Sequence, residues 1–594
     1  ENGAKGKSAA LAGAAAVNDI DNTISAIVAN STINDAGKLD VLGLSGGTTI
    51  AAGLGLEISK NEGGSGTGGA AVSVNLIDHT VNALMEDNTV TKAQSIDVTG
   101  YQSDVQVTGG LQVAAGNQGT AVGASVAVAS LNNTINAGIK GTGKNGLAYA
   151  DVGNVEVHAL SALTAVTAAV SAGATKTSKS DGTSVNIQGA VVYNSVNNTA
   201  NAYIDGANIA TTAAGSVRVR AMDTNKQDAA VYQELLTRGA SDKAAELART
   251  SSIIDTKGNS YYDGLDTAMT DDGSGDGTLD LDTIGKNGST IVTAAAGVAV
   301  TNGDAAVGAS VAISDIDNKF TAKITDSEIT AADVEAQANS DTLLVGVAGG
   351  VGVGNKIGGV GSASWQNIDN TAAATISGST IKAQSVSGRA VNTAKMINVA
   401  GQIAGGKSAL GAGLGYSGLS NVTGAYLHDN LIDKRIIDTD GVIVNANAAN
   451  GNKMYTIGAS VAAATENAAI TGTVVLTRAD GKTDALISDS EITNAKAVGA
   501  AAADTTYTYT VMGNVAAGAK AGVGAGVAYT DIGGSSGDAA KAGQVTNAGI
   551  KGTQIESAAA GAAVSVSAVD SSKILNVAVG VGLSLIHISE PTRP

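Results

Sequence analysis

Apolar and polar positions alternate over long stretches of the chain. In FTAKITDSEITAADVEAQA, Phe320, Ala322 and Ile324 alternate with Thr321, Lys323 and Thr325, and Val334, Ala336 and Ala338 alternate with Asp333, Glu335 and Gln337. A period of two predicts strands with one buried and one wet face. A second kind of stretch has no wet face. In AVGASVAI the positions Val307, Val311 and Ile313 are aliphatic, while Gly308, Ser310 and Ala312 are small. LLVGVAGGVGVG from Leu343 and GAKAGVGAGVAY from Gly518 are apolar or small on both sides. One side of these smooth strands must meet something other than water, so they predict internal sheet stacking or lateral self-association. So many Gly and β-branched residues penalise a helix.

The strands recur in a frame: a small-residue strand, an aliphatic anchor, Asx-Asn, Thr, a second strand, then Ser/Asn-x-Ile. It is clear in AAAVNDIDNTISAIVANSTI from Ala14 and in ASVAISDIDNKFTAKITDSEI from Ala309, and weaker in GLGYSGLSNVTGAYLHDNLI from Gly413. The anchors Ile20, Ile77, Leu131, Val196, Ile316, Ile368 and Leu419 are separated by 57, 54, 65, 120, 52 and 51 residues. Repetition of this kind marks a solenoid or array. The step of 120 reads as two repeats' worth of chain holding an insertion. At roughly 22 residues per coil a repeat would supply two coils, and the chain about 23 coils in a rod of roughly 110 Å. The expected fold is all-β, a parallel β-helix with a small helical insertion. The rival is a repeated antiparallel β-hairpin array with DIDNK as the turn. The recurring Asx-Asn is either a stacked Asn ladder, a row of ligand-binding amides, or turn chemistry, the plainest of the three.

Composition supports an elongated, thin-cored protein. There are 79 Gly, one Trp, one Phe and no Cys. Each unit of a repeat protein packs only on its neighbours, so small side chains suffice. Interior strands donate N–H groups to the ladder, which excludes proline. Both prolines, Pro591 and Pro594, fall in LSLIHISEPTRP. That tail, 583–594, looks like one reading frame of a sequencing-library adaptor, so the chain is expected to be a fragment. The net charge of −18 with scattered Lys and Arg disfavours nucleic acid and anionic membranes. No long uninterrupted apolar run predicts a transmembrane helix.

The pattern changes between Met222 and Gly288. Val231, Tyr232, Leu235 and Leu236 stand at helical spacing, with Gly239 suited to a helix end, which predicts an αα-hairpin. The expected domains are solenoid repeats over 1–221, a helical and acidic insertion over 222–288, and further repeats over 289–582. In DDGSGDGTLDLD, Asp272, Ser274, Asp276, Thr278 and Asp280 present oxygens at alternate positions, with Gly277 at the sharp turn. This is calcium-loop spacing, and calcium is the one cofactor the sequence suggests. Thr283 stands where a bidentate Glu is expected, so a solvated acidic turn is the competing reading. No catalytic constellation is legible. Arg218, Arg220, Arg389, Arg435 and Arg478 are not beside acidic clusters in sequence, and His79, His158 and His428 lack metal spacing. The chain is expected not to be an enzyme.

The frame GASVAV…NNT…AYIDG…I resembles the repeats of large filamentous adhesins and leukotoxin-type exoproteins of type V secretion in Gram-negative bacteria, over most of Ala9 to Gly582. The resemblance implies a right-handed β-helical stalk, exposure at the cell surface and attachment to a host or neighbouring-cell protein or glycan. The family's export signal, secretion domain and outer-membrane barrel are not in this sequence. A β-helical polysaccharide-active enzyme and a presentation stalk for a toxin module are the alternatives.

Overall fold

The alternating stretches become strands of twenty residues or more, and their neighbours are copies of themselves one repeat away. The computed structural model describes residues 10–59, 66–117, 119–141, 148–176, 184–224, 288–435, 441–533, 543–558 and 561–584. Among these residues there is no helix. Every strand pairing is parallel, which excludes the hairpin array and gives a solenoid-like stack of coils. Each coil runs up a front sheet, turns a corner through a short strand, and returns along a back sheet. Ala305–Thr325, Glu328–Thr330 and Asp333–Val353 are one such coil.

One repeat is one coil, not two. Ile20, Ile77, Leu131, Val196, Ile316, Ile368 and Leu419 lie in one register column of the front sheet. The front sheet's path holds nine strands, from Ala10–Ala29 to Ala521–Ile532. At about 4.8 Å per coil the stack is about 38 Å tall, while a twenty-residue strand extends about 66 Å. The molecule is therefore broader than it is tall, where the sequence predicted a 110 Å rod. The coil is longer than that because its strands run 21 residues, where ordinary strands run about 5–6.

The step of 120 is also a single coil. Val217–Asp223 and Ser289–Thr301 together form one back-sheet strand. Met222 pairs with Asn339 and Ser289 with Thr342, so Thr224 and Ser289 occupy consecutive register positions. The register continues from Thr224 to Ser289 without a shift. Residues 225–288 number 64, and without them the 120-residue step shortens to 56. The expected insertion boundary at Met222 is too early, because Met222 and Asp223 are buried strand residues. Asp223 accepts from the Ser289 N–H at 3.1 Å and from its hydroxyl at 2.9 Å, which ties the two segments together. The expected helical hairpin lies outside the described residues. The front-to-back description extends to Leu583 and Ser584, the end of the strand Ala563–Ser584, while the rest of the expected tail lies outside it.

The recurring Asx-Asn is not a turn. Asn133, Asn198, Asn318, Asn370 and Asn421 sit mid-strand, buried and directly in register. Asn318 donates to Asn370 at 3.0 Å and to Thr342 of the back sheet at 2.9 Å. The ladder reading is therefore correct, because a mid-strand amide can bond along the stack and across it. The turn lies eight residues on. Asn30, Asp87, Asp326, Asp429 and Asp489 adopt φ between 49° and 57°, and Gly206, Gly378 and Gly552 replace them in other coils. Short polar side chains and glycine are the residues that tolerate this region. The Ser/Asn of the frame follows each corner and caps its neighbour. The Ser327 N–H donates to Ser379 at 3.2 Å, Ser379 N–H to Asn430 at 3.1 Å, and Asn430 N–H to Ser490 at 3.1 Å.

The interior has two parts. At the corner, front sheet, short strands and back sheet enclose an apolar core containing Phe320, Ile324, Ile329 and Val334. Away from it the two long sheets face each other directly, and small residues let them approach. A Cβ on Gly352 would lie 1.9 Å from the carbonyl oxygen of Gly359, and one on Gly350 would lie 2.4 Å from a methyl of Val360. The smooth strands thus stack sheet on sheet through their inner sides.

Two outcomes follow. Joining Thr224 directly to Ser289 preserves the far-UV β spectrum and a cooperative melt, whereas deleting 222–288 also removes the three buried sheet residues Met222, Asp223 and Thr224 and lowers the melting temperature further; equal melts for the two deletions would contradict the register. Gly352→Ala forces the sheets apart and costs on the order of 1–3 kcal/mol, measurable by denaturant titration.

Candidate functional site

On the front sheet's outer face, the anchor column is followed by exposed polar columns. Asp78, Asn132, Asn197, Asp317, Asp369 and Asp480 share one of them with Ser420. The next column contains Asp315, Asn367, Gly418 and Arg478. Where the strand Ser408–His428 crosses these columns its side chains shrink to Gly418 and Ser420. Its neighbours keep long ones, Asn367 and Asp369 on one side and Arg478, Asp480 and Lys482 on the other. The result is a trough of about 420 Å³ along the strand, closed at one end by Tyr416.

The walls are held in place. Arg478 donates to Asp480 at 2.8 Å. Asn367 bridges Asp315 and Asp369, both at 3.2 Å. Trp365 stacks on Tyr416 with centroids 3.9 Å apart and planes inclined by 24°, which fixes the end wall. Burial raises the Asp369 carboxyl above its ordinary range, and the neighbouring Asp315 adds to the rise. Burial also raises the Tyr416 phenol. Gly418 is required for the hollow, since a Cβ there would lie 2.5 Å from Asn367 Oδ1 and 2.9 Å from the Tyr416 hydroxyl. The trough offers a planar aromatic wall, two carboxylates, a guanidinium and an amide around a ligand-sized space, a more polar lining than most small-molecule pockets have and one suited to a hydroxyl-rich ligand.

The sequence singled out none of these residues as a site. The available signal was the weak copy from Gly413, which departs from the frame where Gly418 and Ser420 replace larger polar residues. The expected calcium residues Asp272, Ser274, Asp276, Thr278 and Asp280 lie outside the described residues. Among the described residues no three His, Asp or Glu side chains gather as metal ligands.

Two of the arginines do stand beside acidic groups, one coil away. Arg218 pairs with Glu156 at 3.1 Å and Arg220 with Glu335 at 2.9 Å, across separations of 62 and 115 residues. Sequence proximity hid these pairs, and strand register creates them. Burial would raise Glu156, but the His158 hydrogen bond together with Arg220 and Arg218 outweighs it and holds the carboxyl below its ordinary range. His79 occupies the Asn column and lies 3.3 Å from Asp104, the hydrogen bond that chiefly raises its pKa. These histidines belong to the interior.

Comparison with protein-family models, curated proteins and solved structures finds no match to this chain.

The buried ionic column carries a pH effect. Burial pushes the Asp97 carboxyl up to about 6 from 3.8. Its ionised form is disfavoured in the fold, so stability is highest below the unfolded value and is lost as pH rises through about 6. The loss is on the order of 2–3 kcal/mol. Asp97→Asn should raise the melting temperature at pH 8 and leave it unchanged at pH 4; the same shift at both values would remove the ionisation as cause.

Proposed function

We propose that the chain is a non-catalytic segment of a bacterial surface adhesin, a right-handed coil stack displayed outside a Gram-negative cell, which attaches to glycan through the front-sheet trough. The observation that carries this reading is the trough itself, a rigid polar groove with an aromatic wall on the outer face of a repetitive stack. A pyranose ring presents an apolar face to the Tyr416 wall and hydroxyls to Asp369, Asp480 and Arg478. Such a site takes its rigidity from the backbone ladders beneath it. The parallel coils, the small-residue core and the absence of cysteine agree with the resemblance of the repeat to exported stalks.

The test is retention on a panel of immobilised neutral hexose and N-acetylhexosamine oligosaccharides. The full chain is expected to be retained by part of the panel. Gly418→Val, which fills the trough, and Asp369→Ala with Asp480→Ala, which strip its walls, should each weaken retention at least tenfold. Equal retention by the variants and the parent would remove the trough from the mechanism. Release of reducing ends from the panel, abolished in the same variants, would move the assignment to a polysaccharide-active enzyme.

A further inference from the structure

The half of the stack away from the three-sided core has its polarity reversed for a protein in water. Its interior is small and polar. Ser171 donates to Gln188 at 2.7 Å, Thr175 to Thr301 at 2.7 Å and Thr473 to Asn514 at 2.7 Å, all buried. Its exterior is apolar on both sheets. From Leu410 to Tyr416 on the front strand and from Ile397 to Gly405 on the back strand, each outward position carries only Gly, Ala, Val, Leu, Ile, Trp or Tyr. The same holds at the register-equivalent outward positions of every coil. Leu11, Ile187, Leu410 and Val523 are exposed on the front, and Ile50, Leu54, Ile403 and Val515 on the back. The front band alone covers about 700 Å², estimated from strand spacing and rise, more than most monomers expose.

The band has defined limits. It is about 20 Å tall on the front sheet and about 26 Å on the back. One edge carries aromatic residues on both faces, in four of the nine front strands and two of the nine back strands, with Val, Ile or Leu in the others. Tyr193, Trp365, Tyr416 and Tyr529 lie toward the front, with Trp365 and Tyr529 exposed. Tyr455 and Tyr509 stack at 4.9 Å on the back. The two aromatic columns are level, because Asn398, next to Ile397 of the back column, donates to the Tyr416 carbonyl at 2.6 Å. Beyond this edge come Asp315 and Asp369 on the front and Lys395 and Lys453 on the back. At the opposite edge the chain turns through ion pairs, Lys356–Asp304 at 2.6 Å and Lys407–Glu466 at 2.8 Å.

A second copy seated on one sheet would leave the other sheet's band exposed. A surrounding apolar solvent covers both at once, and it accounts for the polar interior as well. An apolar band about 25 Å tall, edged by aromatic residues and then by charge, is how closed β-structures meet lipid. In the interior coils both neighbouring strands are present, so each ladder has partners on both sides, as hydrocarbon requires. The geometry points to insertion of this half of the stack into the hydrocarbon of a zwitterionic phospholipid bilayer, with the aromatic columns at headgroup level. The net charge of −18 selects neutral over anionic headgroups. The inference goes beyond the glycan reading and does not depend on it, since phosphatidylcholine carries no sugar.

Trp365 is the chain's one tryptophan and reports directly. The full chain is mixed with phosphatidylcholine vesicles. It should float with them at high salt, its emission should shift to shorter wavelength, and headgroup-proximal brominated lipid should quench it more than lipid brominated near the chain ends. Val191→Asp with Val474→Asp, on the exposed front band, should cut flotation at least tenfold while preserving the melt in buffer. Asn132→Asp, in the exposed polar half, should not. No flotation, or flotation lost at high salt, overturns insertion. Lipid-free, concentration-dependent association abolished by the same double variant overturns it in favour of a second copy.

Discussion

The structure depends on the parallel, in-register backbone ladder between one coil and the next. Because no residue slips along the front sheet, each outward or inward position there becomes a column about 4.8 Å per step, and its chemistry is read nine times. An apolar column becomes a core seam, as with Ile77, Leu131, Val196 and Ile316. An asparagine column becomes a hydrogen-bonded spine. An acidic column becomes a charged stripe that one short-chain coil opens into a trough. Small side chains suffice because the ladders, rather than bulky packing, hold the sheets.

The fold was partly legible. The frame found in the sequence aligns the anchors residue for residue with the register, since the same inward position recurs in each coil. The Ser/Asn-x-Ile that closes the frame is the corner cap and short strand. What could not be read was coil length, because strand length is set by how long two sheets can remain face to face, and Gly350 and Gly352 allow them to do so beyond the usual range. Local turn propensity favours a turn at the Asx-Asn, and tertiary burial overrides it. The trough and the Arg218–Glu156 pair were invisible for a common reason. Both are relations between neighbouring coils, and neither has a local pattern.

The two halves of each coil answer to different surroundings. The corner half obeys ordinary solvation, with Phe320 and Ile324 inside and charge outside. The other half places hydrogen-bonding side chains between the sheets and aliphatic ones outside. The change happens within each strand, between Trp365 and Asn367 in one coil and between Tyr416 and Gly418 in the next. A single strand thus joins two solvent regimes, and the aromatic columns mark the border.

The break between Thr224 and Ser289 also bears on how the chain folds. The strand pairings join residues one coil apart, so the stack can add coils in succession, each closing a loop of 51 to 65 residues. The interrupted coil closes a loop of 120. Loop-closure entropy grows only logarithmically, so doubling the loop costs about 0.6 kcal/mol. That is less than one backbone hydrogen bond typically contributes, about 1 kcal/mol. A coil stack of this kind can therefore carry long digressions within its strands with little penalty to assembly, provided the chain re-enters at the next register position.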